Sequence, residues 1–254
     1  MADSVLRDLG SDGVLVLTWN RPERKNAFDN PMWNAARDAL RDAMADDAVR
    51  AVVVTGAGAA FSAGQDLGEM AMPTLGEGEA HGFGAFMDAL CAFDKPLLAA
   101  VNGVGVGIGL TLLLHCDAVF IAEGARLRPP FVELGVVPEA ASSYLLPAQI
   151  GWQRAAEVLF TADWIDAARA VELGLASRLC APDRVVAEVR ALAARIAGQP
   201  PGAVRHTKRL LLATRAEQVR AARAREDAAF VERVGSAENL EAIQRFFARR
   251  GGGR

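Results

Sequence analysis

A segment in which glycine alternates with apolar residues, Gly103–Gly109, leads directly into the apolar run Leu110–Leu114. Because glycine lacks a Cβ, such a backbone can approach another group closely and adopt conformations that are closed to other residues. A turn of this kind at the start of a helix leaves amide N–H groups unpaired. The segment therefore predicts either a site for a carbonyl oxygen that gains negative charge or a buried helix that packs tightly.

The glycine segment matches neither of two common phosphate-binding motifs. A Walker-type loop requires Gly-Lys-Ser/Thr, and no lysine lies near Gly103–Gly109. A dinucleotide-binding fingerprint requires G-x-G-x-x-G, but its last position is Ile108 when counted from Gly103 and Leu110 when counted from Gly105. Neither nucleotide-binding class is predicted.

Apolar runs alternate with amphipathic stretches through residue 198. Strands are predicted at 14–19, 51–55, 96–101 and 118–122, and helices at 30–44 and 83–93, the first with Asn30 as its cap. Continuous apolar strands are typical of a sheet that is covered on both faces. The alternation predicts an α/β core with right-handed crossovers over residues 1–198.

The character of the sequence changes after Gly198. Gln199–Gly202 is predicted to be a linker, and residues 203–250 show helical patterning without strand signals. Arginine and acidic residues are interleaved there, which indicates a solvated or inter-subunit face. Residues 199–254 are therefore predicted to form a helical region used in assembly.

Composition excludes several classes of function. The net charge of −3 argues against a nucleic-acid partner, and no apolar run is both long and glycine-poor enough to span a membrane. The three cysteines form no C-x-x-C pair, and the three histidines follow no metal-binding pattern. No signal peptide is visible. We expect a cytoplasmic protein with reduced thiols, no metal and no membrane or nucleic-acid contact.

A second loop rich in small residues, Thr55–Leu67, follows another predicted strand. Together with Val101–Leu114 it closely resembles the crotonase superfamily of enoyl-CoA hydratases and isomerases. Further stretches match in the same order: Asn20–Phe28, His115–Asp117, Leu134–Pro138 and Ala168–Ala176. The resemblance covers nearly the whole chain. It implies an α/β, crotonase-like spiral of β-β-α units whose C-terminal helices mediate homotrimers, often paired into hexamers.

The resemblance implies chemistry on the thioester carbonyl of an acyl-CoA. Two backbone amides would hold the carbonyl oxygen, those of Gln65, after Gly64, and Ile108, after Gly107. Such preorganised donors stabilise an enolate at little reorganisation cost. No cofactor is implied, since coenzyme A is part of the substrate.

The resemblance also implies a set of substrate-binding residues. These are Arg24, Lys25, Ala27, Ala63, Asp66, Leu67, Gly107, Phe131, Tyr144 and Phe246. Arg24 and Lys25 would meet the CoA phosphates, although ordinary surface cations are an equal alternative. Asp66 is expected to fix its own loop rather than act as an acid. Phe246 or Phe247 matches a family position near CoA, although core or interface packing is the role expected for both.

The positions of the carboxylates separate the possible reactions. Family hydratases use two glutamates, whose positions are here Thr111 and Phe131, so ordinary hydration is not expected. Glu139 stands where hydratases commonly have glycine, which resembles the peroxisomal-type Δ3,Δ2-enoyl-CoA isomerases and their bacterial relatives. There one glutamate moves the proton from C2 to C4, aided by an apolar pocket.

Other interpretations remain open from the sequence. Glu139 could instead cap a helix that begins near Ala140, and Glu133 could be a displaced base, although a surface role is expected for it. At the level of function, the alternatives are another crotonase-type reaction, such as hydration or thioester hydrolysis, and a non-catalytic acyl-CoA-binding protein.

Overall fold

The computed structural model describes residues 3–70 and 81–251. The strands are β1 Val5–Leu9, β2 Val14–Trp19, β3 Ala51–Gly56, β4 Ala60–Ser62, β5 Leu97–Val101, β6 Val104–Val106, β7 Ala118–Ala122, β8 Arg126–Arg128, β9 Ile165–Asp166 and β10 Arg178–Cys180. The helices are α1 Asn30–Ala45, α2 Leu67–Met70, α3 Gly82–Ala92, α4 Ile108–Thr111, α5 Ser142–Ile150, α6 Trp152–Thr161, α7 Ala167–Leu173, α8 Val185–Ala197, α9 Pro201–Ala213, α10 Ala216–Arg233 and α11 Ala237–Gly251. Short 3-10 turns lie at Pro22–Arg24 and Leu112–His115.

The larger sheet has six strands in the order β1-β2-β3-β5-β7-β10. β1 runs antiparallel to β2, and the other neighbours are parallel. Every residue of β3 and β5 is buried, which explains why these strands are continuous apolar runs. Helix α8 packs across β2, β3, β5 and β7. The four strands predicted from the sequence are therefore confirmed.

A smaller sheet has the order β4-β6-β8-β9. Its strands β4, β6 and β8 each follow a strand of the larger sheet, so each successive pair contributes one strand to either sheet. Helices α3, α4 and α5 lie between or after these pairs. This repetition is the predicted spiral of β-β-α units, and it brings the loops that follow β4 and β6 side by side.

The cap of α1 differs from the prediction. Asp29, not Asn30, is the N-cap, and its Oδ1 accepts a 3.0 Å hydrogen bond from Met32 N. Asn30 is the first helical residue, and its Oδ1 accepts from Gly82 N at 2.7 Å. The sequence offers two capping residues in succession, and Asn30 instead joins α1 to α3, because the backbone of Gly82 comes within its reach.

The C-terminal helices are joined to the core by polar contacts. Lys208, on α9 and only 6% exposed, places Nζ 2.6 Å from Asp117 Oδ1. Asp94 pairs with both Arg205 and Arg209. On the outer side, apolar residues including Leu210, Leu211, Val231 and Leu240 remain exposed. Among the described helices, none is both long and apolar enough to cross a bilayer.

Candidate active site

The loop after β4 presents the Gln65 amide. Phe28 N donates to Gly64 O at 2.7 Å, and Asp66 N donates to Phe28 O at 2.8 Å. In this parallel bridge Phe28 bonds to the residues on either side of Gln65, so the N–H of Gln65 itself points away from Phe28. The Gln65 N–H donates no hydrogen bond to a described residue, so it is free to donate to an acceptor on a bound molecule.

Two glycines bring this loop against the turn after β6. A Cβ at Gly64 would lie 2.7 Å from Val106 O and 3.8 Å from Gly107 Cα. Gly64 has φ +89° and Gly107 has φ +55°, values that a side chain disfavours. The residues that follow them are Gln65 and Ile108. The structure therefore brings together the two predicted backbone donors.

Ile108 is the first residue of α4. Its N–H precedes the first intrahelical bond, whereas Leu110 N and Thr111 N both donate to Gly107 O, at 2.8 and 2.9 Å. Ile108 itself is 1% exposed through packing in the core. Its amide is thus the first group of α4 that can donate to an atom between the two loops.

Aromatic residues hold the first of these loops. Trp33 Nε1 donates to Gln65 Oε1 at 3.0 Å, and Gln65 Nε2 lies 3.1 Å from His81 Nε2. The Trp33 ring packs against Phe28 and Phe86 at centroid distances of 4.3 and 5.3 Å. Because Trp33 comes from α1, 32 residues before Gln65, no local sequence pattern associates the two residues.

Glu139 lies in a tight loop before α5. The next two residues, Ala140 and Ala141, both have left-handed backbones, with φ of +60° and +59°. The Glu139 carbonyl oxygen accepts from Ser142 N at 3.0 Å and from Ser142 Oγ at 2.6 Å. The carboxyl group of Glu139 makes no hydrogen bond or ion pair with a described residue, and Ala141 occupies the N-cap. The alternative that Glu139 caps this helix is therefore wrong.

The environment of Glu139 favours its neutral form. The residue is half-buried. Burial raises the pKa of Glu139 to about 8, and the nearby negative charges of Glu226 and Asp227 add to the shift. At neutral pH both protonation states are accessible, which suits a group that takes and returns a proton.

His115 connects the Glu139 loop to the segment that begins at Ile108. Its Nε2 lies 2.8 Å from Ala140 O. Burial lowers the pKa of His115 to about 4, so the ring is neutral at neutral pH. Because a carbonyl only accepts, Nε2 carries the proton and donates it. No sequence pattern predicts this partner for His115, because Ala140 lies 25 residues along the chain.

The two hydratase positions carry no carboxylate and are buried. Thr111 is 0% exposed, and its hydroxyl lies 3.4 Å from Gly107 O. Phe131 packs in an apolar cluster with Leu134 and Val136. Leu67, Leu159 and Phe230 pack against the same cluster. Nearby Glu133 pairs with Arg128 at 2.7 Å and is half-buried, so the expected surface role is only partly correct.

The remaining predicted residues fall in several places. Arg24 and Lys25 are exposed, while Ala27 is buried. Ala63 N donates to Lys25 O at 2.8 Å, which joins the Arg24–Ala27 turn to the Gln65 loop. Asp66 accepts from Gly68 N at 3.0 Å and pairs with Arg21 at 3.2 Å, the loop-fixing role expected from the sequence.

Tyr144 and Phe246 belong to two different helices. Tyr144 is half-buried on α5 and packs against the core. Phe246 lies within α11, but its side chain is outside the described residues, as is that of Phe247. Their assignment to the substrate site stays a prediction.

Comparison with known proteins relates this geometry to a family. Residues 10–252 match the family model described as enoyl-CoA hydratase/isomerase. The chain is 35% identical over 243 residues to enoyl-CoA delta isomerase 2 of Rattus norvegicus, covering 94% of this chain but only 62% of the rat protein. It is 32% identical over 237 residues to 2,3-dehydroadipyl-CoA hydratase of Escherichia coli, covering 93% of each chain.

A solved structure is similar over almost the full length. An enoyl-CoA hydratase/isomerase from Pseudoalteromonas atlantica superposes with a TM-score of 0.93 at 39% identity, covering 97% of each chain. The similar proteins thus carry the names of isomerases and of hydratases. Shared ancestry alone does not select between these reactions.

Proposed function

The chain belongs to the enoyl-CoA hydratase/isomerase family, and on that basis we propose that it converts a 3-enoyl-CoA into the conjugated 2-enoyl-CoA. One observation carries the choice of reaction. The half-buried Glu139 has no ionic partner among the described residues, and both hydratase positions, Thr111 and Phe131, lack a carboxylate. A single acid/base group suffices for a proton shift, whereas hydration by the family's route uses two.

In the proposed reaction the thioester oxygen accepts hydrogen bonds from the amides of Gln65 and Ile108. These donors are held before the substrate arrives, by the Phe28 bridge and by the Gly64–Gly107 contact. They stabilise the negative charge that reaches the oxygen in the dienolate. Loss of one such donor typically costs about 2.7–4 kcal/mol of transition-state stabilisation.

Glu139 moves the proton. Its carboxylate takes a proton from C2, and the C–H electron pair forms a C1=C2 bond while the carbonyl π electrons move onto the thioester oxygen, which gives the dienolate. When the carbonyl is restored, the C1=C2 π electrons form the new C2=C3 bond, and the former C3=C4 π electrons take the proton back from Glu139 at C4. The substrate gains and loses nothing overall, and the carboxylate is regenerated. A base with a pKa of about 8 is well matched to both steps near neutral pH.

An apolar cluster that includes Phe131, which we propose lines the acyl site, would limit a competing attack by water. Phe131, Leu134 and Val136 form a buried cluster, with Leu67 packed on it. Exclusion of water both keeps the dienolate from side reactions and sustains the high pKa of Glu139. We further propose that Arg24 and Lys25 meet the CoA phosphates, that no separate cofactor is needed, and that the C-terminal helices assemble a homotrimer or hexamer.

The test is isomerisation of 3-enoyl-CoA by the purified protein, followed through formation of the conjugated thioester. Glu139→Gln should reduce kcat by at least about 10²-fold, the usual contribution of a positioned acid/base. Glu133→Gln is the matched control, because Glu133 is a nearby glutamate paired with Arg128. Equal turnover by Glu139→Gln and the wild type would overturn the assignment of Glu139.

Product analysis separates the alternatives. The name of the E. coli relative makes hydration the second candidate. A 3-hydroxyacyl-CoA as the main product would favour hydration, and a free acid would favour thioester hydrolysis. Binding of acyl-CoA without turnover of any enoyl isomer would indicate a non-catalytic binding protein.

A further inference from the structure

A buried carboxylate from the C-terminal region holds the loop that carries Glu139. Glu226, on α10, is 6% exposed. Its Oε2 accepts from Ala141 N at 2.7 Å, and its Oε1 accepts from Ser143 N at 2.8 Å. No lysine or arginine pairs with it among the described residues. We propose that Glu226 is a positioning residue for Glu139, an inference that rests on the proposed function.

The local sequence bonds only part of this loop, through Ser142 and the carbonyl oxygen of Glu139. A helix normally has its first amides satisfied by a side chain at the N-cap, but the N-cap of α5 is Ala141, which has no acceptor. Ala140 and Ala141 also adopt left-handed backbones, at a cost of about 1–2 kcal/mol per residue. The two hydrogen bonds from α10 offset that cost. The conformation at Glu139 therefore depends on a residue far along the chain.

Burying a carboxylate without a cation is itself expensive, so the placement of Glu226 calls for a reason beyond capping. An asparagine or serine at position 141 would satisfy the Ser143 amide at lower cost, although not the amide of position 141 itself. What Glu226 adds is a negative charge beside Glu139. Like charges disfavour ionisation, and this charge raises the pKa of Glu139 together with burial and Asp227.

The other charged and titratable groups around the loop are few. Asp227 is exposed on the same helix as Glu226. From the opposite side His115 faces the loop and is neutral, with Arg215, Arg223 and Lys208 the cations that act on it. Burial raises the pKa of Glu226, while its bonds to Ser143 and Ala141 lower it. Neutralising the buried Glu226 therefore tests how far its negative charge contributes to the raised pKa of Glu139.

Two variants separate position from charge. Glu226→Gln keeps the side-chain length and one acceptor but removes the charge, whereas Glu226→Asp keeps the charge but shortens the reach to the two amides. Both should lower kcat by about 10–100-fold through misplacement of Glu139. Only Glu226→Gln should also move the acid limb of kcat/KM to lower pH, because Glu139 then ionises more readily. Glu232→Gln, an exposed change on the same helix, should alter neither quantity.

Titration of the Glu139 carboxyl provides a readout that needs no substrate. The difference between the infrared spectra of the wild type and Glu139→Gln, recorded as a function of pH, reports the ionisation of the Glu139 carboxyl directly. The same difference in the Glu226→Gln background should have a lower midpoint, and in the Glu226→Asp background a midpoint nearer that of the wild type. Unchanged kcat and an unchanged midpoint in Glu226→Gln would overturn the proposal. Absence of isomerisation by the wild type would instead overturn the proposed function. The infrared titration would still test the effect of Glu226 on the ionisation of Glu139.

Discussion

His115 Nε2 lies 2.8 Å from the carbonyl oxygen of Ala140, and this contact joins the two halves of the proposed catalytic apparatus. His115 ends the short helical segment that begins with the Ile108 amide. Ala140 directly follows Glu139. A buried hydrogen bond therefore couples the position of the Glu139 loop to that of the segment that begins at Ile108.

Replacement of His115 by Phe should weaken both stability and activity. The change leaves the Ala140 carbonyl without its donor in a buried site, which costs about 1–3 kcal/mol of unfolding free energy. We expect kcat to fall with little change in KM, since the carbonyl-binding amides remain. Urea unfolding and steady-state kinetics measure the two effects. His206→Phe is the control, because His206 is exposed and, among the described residues, its side chain bonds to Gly202 O within its own helix.

The high pKa of Glu139 predicts a pH-dependent gain in stability for Glu139→Gln. In the unfolded chain this carboxyl has an ordinary pKa near 4.5, against about 8 in the folded protein. The folded state then binds more protons between these values, so the wild type loses stability as the pH rises through that window. Glutamine does not titrate. The variant should therefore become more stable relative to the wild type, by on the order of 2–4 kcal/mol at pH 9 compared with pH 4.

Urea unfolding of both proteins at the two pH values checks this expectation without reference to catalysis. The sign of the change decides the outcome. If the free energy of unfolding of Glu139→Gln relative to the wild type stays constant, or falls as the pH rises, Glu139 is not held in a desolvated site. Glu133→Gln again serves as the control, since it removes a carboxyl group from the same part of the chain.

The contact between Gly64 and the turn before Ile108 predicts that Gly64→Ala is inactive. The new Cβ would lie 2.7 Å from Val106 O, and the backbone has φ +89°. Gly151 has φ +86° but nothing within 4 Å of the equivalent position. Both alanine variants place a side chain on a backbone with a positive φ, which residues other than glycine disfavour. Only Gly64→Ala should also separate the two amides.

Steady-state kinetics and thermal unfolding of the two glycine variants therefore give a clean comparison. We expect similar losses of Tm from the shared backbone cost, with an added loss for Gly64→Ala. We expect a fall in kcat of on the order of 10²-fold or more for Gly64→Ala alone. If Gly151→Ala lost as much activity, backbone strain and not amide placement would explain the effect.

Trp33→Phe tests whether the Gln65 side chain matters for the position of its amide. The change removes the Nε1 donor to Gln65 Oε1 while it keeps an aromatic ring in the cluster. A net hydrogen bond is worth about 0.5–1.5 kcal/mol, so a fall in kcat of roughly 2–12-fold is expected. Trp19→Phe is the matched control, because Trp19 is equally buried and its Nε1 has no hydrogen-bond partner among the described residues. Equal effects of the two changes would attribute the loss to packing alone.

Much of the fold follows from local patterns. β2 and β7 begin and end at the residues predicted for them, because these mostly buried strands form nearly continuous apolar runs. The strands of the smaller sheet escaped prediction, since β4, β6 and β8 have three residues each, too few for periodicity to show. Capping was predicted less well. Asp29 and Asn30 are equivalent by residue type, and only the position of Gly82 separates their roles.

The sequence by itself determined the positions of four buried strands, the two glycine-containing loops that follow strands, and the glutamate at position 139, because each of these depends on neighbouring residues along the chain. Only the tertiary structure decided which carboxylate accepts hydrogen bonds at the start of α5 and which surroundings raise the pKa of Glu139. Glu226 lies 85 residues from Ala141, and His115 lies 25 residues from Ala140. Desolvation and charge proximity depend on distance in space, and no periodicity along the chain records them.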